Sequence, residues 1–193
     1  MDKQNLYFIA LIPPSEISNV VIKFKEDFSL RFSSHKALRV VPHITLKAPF
    51  MLPDVAHRDL LLWFKKLFIG VDPFTIELNN FGAFHNKYNP VVFINCVMNT
   101  GLYSLQNEIV RSFKTSFWFI KPHDVDLKFK PHMTVAYRDL SPEAFQKAWI
   151  EYKAKEYKAV FEIKEFYLLQ HDTKQWNIID TYPLTNVEQS MNP

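Results

Sequence analysis

The chain has 193 residues, enough for one generous domain or two small fused lobes with a true hydrophobic core. With 48% hydrophobic and 22% charged residues, the composition is typical of a globular protein and excludes a disordered or fibrous chain. The net charge of only +3 excludes the strongly basic surface of an avid DNA-binding protein, although a mild positive charge suits a phosphate-bearing ligand.

The single cysteine, Cys96, excludes an intrachain disulfide and indicates a reducing compartment. Because it lies in the apolar run VVFINCV, we expect a buried thiol on a strand and not a nucleophile. The apolar patch near the N-terminus spans only about eight residues, too few for a signal peptide or a membrane span. We therefore expect a cytoplasmic protein without membrane contact.

Runs of β-branched and aromatic residues predict seven strands, and apolar residues at helical spacing predict four helices among them. In chain order we expect a strand at 6–12, a helix at 15–28, a strand at 37–46, a helix at 55–68, strands at 74–81 and 91–98, a helix at 102–113, a strand at 127–137, a helix at 141–157, and strands at 160–170 and 176–182. The neighbouring strands 74–81 and 91–98 indicate a hairpin. This mixture predicts an α+β fold with largely antiparallel sheets flanked by helices.

An internal repeat organises the chain. Residues 38–46 read LRVVPHITL and residues 127–135 read LKFKPHMTV, an offset of 89 residues. The same shift aligns the helix at Ser15 with one beginning near Ser104, and the strand around Tyr7 with the strand at 91–98. We therefore expect residues 1–193 to form a single bilobal domain, whose two interleaved, pseudo-two-fold related lobes face each other across a cleft.

Each repeat carries one His-x-Thr unit. Residues two apart on a strand project from the same face, so His43 should point with Thr45, and His132 with Thr134. Two imidazoles on one concave surface can act as a general acid and a general base, because their ordinary pKa lies near neutrality. The threonine hydroxyls can donate hydrogen bonds to phosphate oxygens. These four residues are our predicted catalytic set for cleaving a phosphodiester.

Other kinds of site fit the sequence less well. Two histidines and two threonines are a poor zinc site, and the nearby carboxylates of Asp124, Asp126 and Asp139 follow no ligand spacing. With only three glycines, the chain lacks a nucleophile elbow, a Walker loop and a dinucleotide fingerprint. We therefore expect neither a metal nor a cofactor. The alternative of two histidines that merely pack in a duplicated fold does not explain why each has a threonine on the same face.

The motifs PHITL at 42–46 and PHMTV at 131–135 resemble the paired His-x-Thr motifs of the 2H phosphoesterase superfamily. The continuation KAPF at 47–50 and the later run FGAFHNKYNPVVFINC, which precedes a helix, resemble its bacterial 2′-5′ RNA ligase branch. The order of elements is similar from Tyr7 to Tyr182, which is nearly the whole chain. The two motifs are the specific part of this resemblance.

The resemblance implies a bilobal α+β fold with the site between the lobes. It also implies hydrolysis of a 2′,3′-cyclic phosphate on a nucleotide or RNA end to a 2′-phosphate, with 2′-5′ ligation as the reverse reaction. The pseudo-symmetry leaves open which histidine is the acid. We expect the partner to be such a nucleotide or RNA, and the protein to be a monomer.

Five flanking residues are further candidates for binding the substrate. Arg138 and Tyr137 follow the second motif on the predicted strand, and Arg138 stands where the family often has a basic residue. Lys130 shares the predicted face of His132, and Phe50 and Phe84 offer rings for stacking a base. All five also have ordinary structural interpretations, as exposed or core residues.

Two other functions stay open at this level. An RNA-binding module with little turnover would keep the cleft, although binding alone is better served by Arg and Lys than by His and Thr. An enzyme with the same mechanism could instead act on a cyclic ADP-ribose derivative or an acyl-phosphopantetheine-like ester. The sequence does not separate these substrates.

Overall fold

The computed structural model describes residues 3–185. Within this part of the chain the eight strands are β1 (Gln4–Leu11), β2 (Ile44–Pro53), β3 (Phe74–Phe84), β4 (Val91–Cys96), β5 (His132–Ala136), β6 (Lys158–Ile163), β7 (Glu165–His171) and β8 (Trp176–Pro183). The five α-helices are α1 (Ser15–Phe32), α2 (His57–Lys65), α3 (Thr100–Ser116), the short α4 (Asp124–Leu127) and α5 (Pro142–Tyr152). Two 3₁₀ turns precede β2 and α2, at Lys36–Arg39 and Asp54–Ala56.

The strands form two four-stranded antiparallel sheets. The first sheet has the order β2-β1-β7-β8 and the second has the order β5-β4-β3-β6. Strand β2 begins directly after His43, and β5 begins at His132. Each lies at the edge of its sheet, β2 beside β1 and β5 beside β4. The predicted α+β fold with antiparallel sheets is confirmed, as is the hairpin of β3 and β4.

The two sheets exchange strands along the chain. Strand β3 follows the first motif in sequence but pairs with β4 and β6 in the second sheet. Strands β7 and β8 follow the second motif but complete the first sheet through the pairing of β7 with β1. Each sheet is therefore completed by strands from the other half of the sequence. One continuous hydrophobic core includes residues from both sheets, such as Ile9, Ile94 and Phe166, together with Phe64 of α2.

The prediction of one strand at 160–170 was wrong, because these residues belong to two strands in different sheets. The first part, β6, pairs with β3, and the second part, β7, pairs with β1. The chain crosses from one sheet to the other at Lys164, which lies between them. The sequence gives no sign of such a crossing, because the residues on both sides of Lys164 have the same extended conformation.

The two motif strands begin later than predicted. Residues 37–46 were expected to be a strand, but Lys36–Arg39 is a 3₁₀ turn and β2 starts at Ile44. Residues 127–137 were also expected to be a strand, but α4 ends at Leu127 and β5 is only His132–Ala136. Pro42 and Pro131 lack the N–H group that a strand ladder needs, so pairing starts only beyond them.

Helix α5 begins as its sequence predicts. The Ser141 hydroxyl accepts a hydrogen bond from the Ala144 backbone N–H at 3.1 Å, and Pro142 occupies the first turn. Its end, however, was placed too late, since the helix stops at Tyr152 and not near residue 157. Cys96 is buried at the end of β4, as expected, and burial raises the pKa of its thiol to about 12.

A buried ion pair joins the two halves below the motifs. The Lys47 ammonium of β2 lies 2.8 Å from the Asp126 carboxylate of α4, and both side chains are 2% exposed. The second Asp126 oxygen accepts a hydrogen bond from the Ala48 N–H at 2.8 Å, and Gln106 of α3 donates to the Asp126 carbonyl at 3.0 Å. The Lys47 ammonium also lies 4.8 Å from the centre of the Phe113 ring.

This pair predicts a large loss of stability in Asp126→Ala. The substitution leaves the Lys47 ammonium buried without its counter-charge, so we expect the free energy of unfolding to fall by about 3–5 kcal/mol. Urea denaturation followed by tryptophan fluorescence measures this change.

Glu162→Ala is the matched control, because it removes the exposed pair that Glu162 forms with Lys164 at 2.9 Å. This control should lose less than about 1 kcal/mol. Equal losses in the two variants would show that the buried pair does not hold the halves together.

Candidate active site

The two motifs present alternating faces, as their sequence predicts. In the first motif, Ile44 and Leu46 are buried at 0% and 1% exposure, whereas His43 and Thr45 are partly exposed. In the second motif, Met133 and Val135 are both 0% exposed, whereas His132 and Thr134 are partly exposed. Anchored apolar residues on one face therefore fix the direction of the polar pair on the other.

The polar faces of β2 and β5 open into two adjoining cavities that share Thr45 and Pro49. The first, of about 180 Å³, is lined by Phe8, Ala37, Val40, His43, Thr45, Pro49, Thr134, Tyr137, Arg138 and Trp176. The second, of about 440 Å³, is lined by Thr45, Leu46, Ala48, Pro49, Phe84, Asp124, Val125, Asp126, Lys128, Phe129, Lys130 and His132. The four motif side chains thus line these two adjoining cavities, here called the cleft, to which both sheets contribute.

Both imidazoles are held in the same way. His43 Nδ1 lies 2.7 Å from the Val41 carbonyl oxygen, and His132 Nδ1 lies 2.7 Å from the Lys130 carbonyl oxygen. A carbonyl oxygen only accepts hydrogen bonds, so Nδ1 donates in each case and carries the proton in the neutral ring. This leaves Nε2 of each ring as the nitrogen that can exchange a proton with a substrate.

Aromatic rings fix the imidazole planes. The Phe8 ring lies 4.9 Å from His43, and the Phe93 and Phe84 rings lie 4.9 and 5.1 Å from His132. Gly82 of β3 leaves room for Phe93, because a Cβ atom at position 82 would stand 2.5 Å from that ring.

The cleft disfavours a positive charge on both imidazoles. The pKa of His43 is lowered to about 4, and burial is the main cause. The Val41 carbonyl opposes this shift, and the nearby charges of Lys25 and His132 add to it. Burial also lowers the pKa of His132, with a smaller contribution from Lys130. Both histidines are therefore neutral at pH 7 in the free protein, and the charge of a protonated His132 would oppose protonation of His43.

Arg138 and Tyr137 lie at the first cavity, but in a turn and not on the strand where the sequence placed them. Strand β5 ends at Ala136, and Arg138 has a left-handed backbone with φ of 61°. The Arg138 guanidinium lies 5.2 Å from the centre of the Tyr137 ring. An exposed guanidinium beside Thr134 puts a fixed positive charge at the mouth of the cleft.

Lys130 and Phe84 lie together at the second cavity. The Lys130 ammonium stands 4.9 Å from the centre of the Phe84 ring and 5.5 Å from that of Phe93. Phe50, in contrast, is 2% exposed and packs in the core against Tyr7 and Phe113. The expectation that Phe50 could stack on a base was wrong, because Phe50 lies on the same face of β2 as the buried Ile44 and Leu46, so alternation along the strand turns this ring inward.

Three residues of this region escaped prediction. Phe8 and Trp176 pack edge to face with centroids 4.5 Å apart and line the first cavity beside His43. They come from distant parts of the chain, so only the tertiary pairing of β1 with β7 and β8 brings them together. Lys25 is 1% exposed on α1. Its burial could have been predicted, because its spacing from Val21 and Phe28 places it on the buried face of the helix.

Two of the carboxylates near the motifs, those of Asp126 and Asp139, are engaged in structural contacts. Asp126 pairs with Lys47, and Asp139 accepts hydrogen bonds from the Ser34 hydroxyl and the backbone N–H groups of His35 and Lys36. Within residues 3–185, no group of three or more His, Cys, Asp and Glu side chains is arranged to hold a metal ion. In the same residues, no helix is long and apolar enough to cross a membrane.

Comparison with solved structures establishes the fold. Escherichia coli LigT in complex with 3′-AMP superposes with a TM-score of 0.70 at 19% identity, covering 95% of this chain and 99% of LigT. A Thermus thermophilus protein, TT0787, gives a TM-score of 0.62 at 17% identity, covering 93% and 97% of the two chains.

Curated relatives are similar over most of their length. A candidate phosphoesterase of Geobacillus kaustophilus is 25% identical over 177 residues, covering 91% of this chain and 94% of the relative. A candidate phosphoesterase of Bacillus cytotoxicus is 28% identical over 155 residues, covering 80% and 84%. The model of the 2′-5′ RNA ligase superfamily matches residues 13–175. The resemblance carried by the two motifs is thereby confirmed, and the chain belongs to the 2′-5′ RNA ligase superfamily of 2H phosphoesterases.

Proposed function

We propose that this phosphoesterase opens 2′,3′-cyclic phosphates of nucleotides or RNA ends to 2′-phosphates, with His43, Thr45, His132 and Thr134 as its catalytic residues. The observation that carries the proposal is the pair of His-x-Thr faces lining one cleft, each imidazole held through Nδ1 by a backbone carbonyl. This arrangement aims two equivalent Nε2 atoms at a substrate, as an acid–base pair requires.

The proposed reaction adds one water molecule across one phosphorus–oxygen bond. One neutral imidazole takes a proton from the attacking water, a bond forms between the water oxygen and phosphorus, and the bond from phosphorus to the 3′ oxygen breaks. The other imidazole, protonated, gives its proton to the departing 3′ oxygen. Thr45 and Thr134 donate hydrogen bonds to the non-bridging oxygens, where negative charge builds up. When a 5′-hydroxyl attacks in place of water, the same groups form a bond from the 5′ oxygen to phosphorus and break the bond to the 3′ oxygen, which is 2′-5′ ligation.

The cleft has further features suited to a nucleotide. Arg138 supplies a positive charge near Thr134, and Phe84 and Trp176 offer partly exposed rings at opposite ends. Solved structures of E. coli LigT contain 3′-AMP, ATP, NADP⁺ or phosphate, and we infer a similar class of ligand for this cleft. A cytoplasmic monomer without a metal remains our expectation.

Hydrolysis of 2′,3′-cyclic AMP in the presence of EDTA tests the reaction. We expect turnover that survives the chelator and has a bell-shaped pH profile, because it needs one neutral and one protonated imidazole. His43→Ala and His132→Ala should each lose at least about 100-fold in kcat/KM, since each lacks one proton-transfer group. Chromatography of the products should show adenosine 2′-monophosphate.

His85→Ala is the matched control, because His85 is exposed and packs against Phe145 and Trp149 outside the cleft. It should keep wild-type activity. Strict metal dependence or full activity of both cleft variants would contradict the mechanism. Tight RNA binding without turnover on any cyclic phosphate would favour a binding module, and turnover only on other phosphoesters would reassign the substrate.

Product binding should take up protons. Both cleft histidines have a lowered pKa and are neutral at pH 7 in the free protein. A bound phosphate dianion favours the imidazolium form, so it raises these pKa values and draws in about one proton at pH 7. The affinity for adenosine 2′-monophosphate should therefore increase as the pH falls from 8 to about 6.5. Isothermal titration calorimetry in buffers of different ionisation enthalpy measures the uptake.

His85→Ala again serves as the control and should take up as many protons as wild type. The double variant of His43→Ala and His132→Ala should take up far fewer. Proton release on binding, or uptake that persists in the double variant, would show that the cleft histidines do not titrate with the ligand.

A further inference from the structure

The segment between α3 and β5 exposes large apolar side chains. Trp118 is 80% exposed and Phe119 is 56% exposed, although the Phe117 ring beside them is buried. Val125 and Leu127 on the short helix α4 are 63% and 65% exposed. A group of exposed apolar side chains with polar residues around it is typical of a binding surface. This segment, residues 118–130, therefore has the character of a surface that meets a partner.

The same segment has an excess of positive charge. Three of its lysines are exposed: Lys121, Lys128 and Lys130. The acidic residues within 118–130 are Asp124, which is exposed, and Asp126, whose charge is balanced by Lys47 at 2.8 Å. The charge of this surface therefore favours an anionic partner.

The segment continues into the cleft. Half of the residues that line the second cavity belong to it, and the others include Thr45 and His132 of the two motifs. Trp118 precedes Asp124 of the cavity wall by six residues, so the two lie within about 20 Å of each other. The chain thus leads from the exposed aromatic rings to the proposed catalytic residues.

Ring packing connects the exposed aromatic residues to the cavity wall. The centre of the Phe119 ring lies 6.2 Å from that of Phe117, which lies 4.9 Å from that of Phe113. The Lys47 ammonium stands 4.8 Å from the centre of the Phe113 ring and pairs with Asp126, which lines the second cavity. The exposed rings and the cavity wall are therefore parts of one packed unit.

Single-stranded RNA matches this surface better than a lipid bilayer does. A single strand is bound by cations that follow its phosphates and by aromatic rings on which its bases stack, and residues 118–130 contain both. A helix that lies on a lipid surface needs a continuous apolar face, but residues 117–123 form no helix and α4 has only four residues. An RNA end that reacts in the cleft must also continue out of it. The second cavity, at about 440 Å³, is larger than the first, at about 180 Å³.

We propose that residues 118–130 bind the RNA strand that leads to the cyclic phosphate, so that the substrate of this enzyme is an RNA end and not a free cyclic nucleotide. The inference rests on the proposed function and deepens it by choosing between the two substrates named there. The strand leaves the catalytic residues through the second cavity, where Lys128 and Lys130 meet its phosphates. Farther upstream, Trp118 and Phe119 stack on bases within about six nucleotides of the reacting end, since stacked bases are about 3.4 Å apart.

Two substrates with the same reacting group test this choice. One is 2′,3′-cyclic AMP, and the other is an oligoadenylate of about eight nucleotides that ends in a 2′,3′-cyclic phosphate. We expect kcat/KM of the wild type to be at least about 10-fold higher on the oligonucleotide, through a lower KM, because stacking strengthens binding. Trp118→Ala and Phe119→Ala should each raise KM for the oligonucleotide at least about 5-fold more than KM for the mononucleotide.

Phe68→Ala is the matched control, because Phe68 is 90% exposed but follows α2, outside the segment. It should behave as the wild type does on both substrates. Equal kcat/KM of the wild type on the two substrates would overturn the proposal, as would an equal effect of Trp118→Ala on both.

Ionic strength tests the part played by the lysines. KM for the oligonucleotide should rise with salt more steeply than KM for the mononucleotide, because a longer strand has more phosphates to neutralise. Lys121→Gln should make this dependence shallower. Lys153→Gln, which changes an exposed lysine directly after α5, should leave it as in the wild type. A slope in Lys121→Gln as steep as that of the wild type would contradict phosphate binding by the segment.

Binding without turnover separates this proposal from the proposed function. Fluorescence anisotropy of a labelled oligoadenylate that lacks the cyclic phosphate measures the affinity for the strand alone. A wild type that turned over neither substrate would refute the proposed function, but an affinity at least about 5-fold weaker in Trp118→Ala would still support the RNA surface. Absence of oligonucleotide binding would overturn the proposal. If Trp118→Ala instead abolished binding to vesicles of phosphatidylserine and phosphatidylcholine, the surface would belong to a membrane contact.

Discussion

The geometry of the cleft depends on one buried ion pair. Lys47 stands two residues beyond Thr45, and Asp126 precedes His132 by six residues, so their contact joins the two motif segments below the site. The Asp126 carboxylate also binds the backbone of Ala48, which adds direction to the attraction between the charges. A charge pair at 2% exposure strongly penalises separation of its partners, since each would be left uncompensated in an apolar surrounding. The Lys47–Asp126 contact therefore constrains the distance between the two polar faces.

The two imidazoles of the cleft have the same hydrogen-bond geometry but different charged neighbours. Each imidazole donates through Nδ1 to the carbonyl two residues earlier, and each lies against a phenylalanine from the neighbouring strand. Duplication accounts for this equivalence. The charges behind the rings differ, because Lys25 is buried and Lys130 is exposed. Acid–base chemistry needs two similar groups, and the duplicated scaffold supplies them.

The fold class and the four motif residues could be predicted from sequence because their signals are local and doubled. Alternation around His43 and His132, together with the 89-residue offset, was enough to place both pairs on polar faces. What failed depended on tertiary pairing. Residues 160–170 divide between the two sheets at Lys164. Trp176 reaches the cleft only because β8 joins the first sheet, and no local pattern reports that choice of neighbour.

The exchange of strands between sheets has a consequence for how the chain is made. Strand β1 pairs with β7, which lies about 160 residues later in the sequence. Tyr7, for example, pairs with Gln170. During synthesis, the first sheet therefore stays without two of its four strands until β7 and β8 have left the ribosome. A nascent first half already contains His43 but lacks both His132 and the strands that complete its own sheet. Such a fragment has an unpaired β1 edge and no assembled cleft. The cleft is completed, and the β1 edge is paired, only when the second half of the chain folds onto the first.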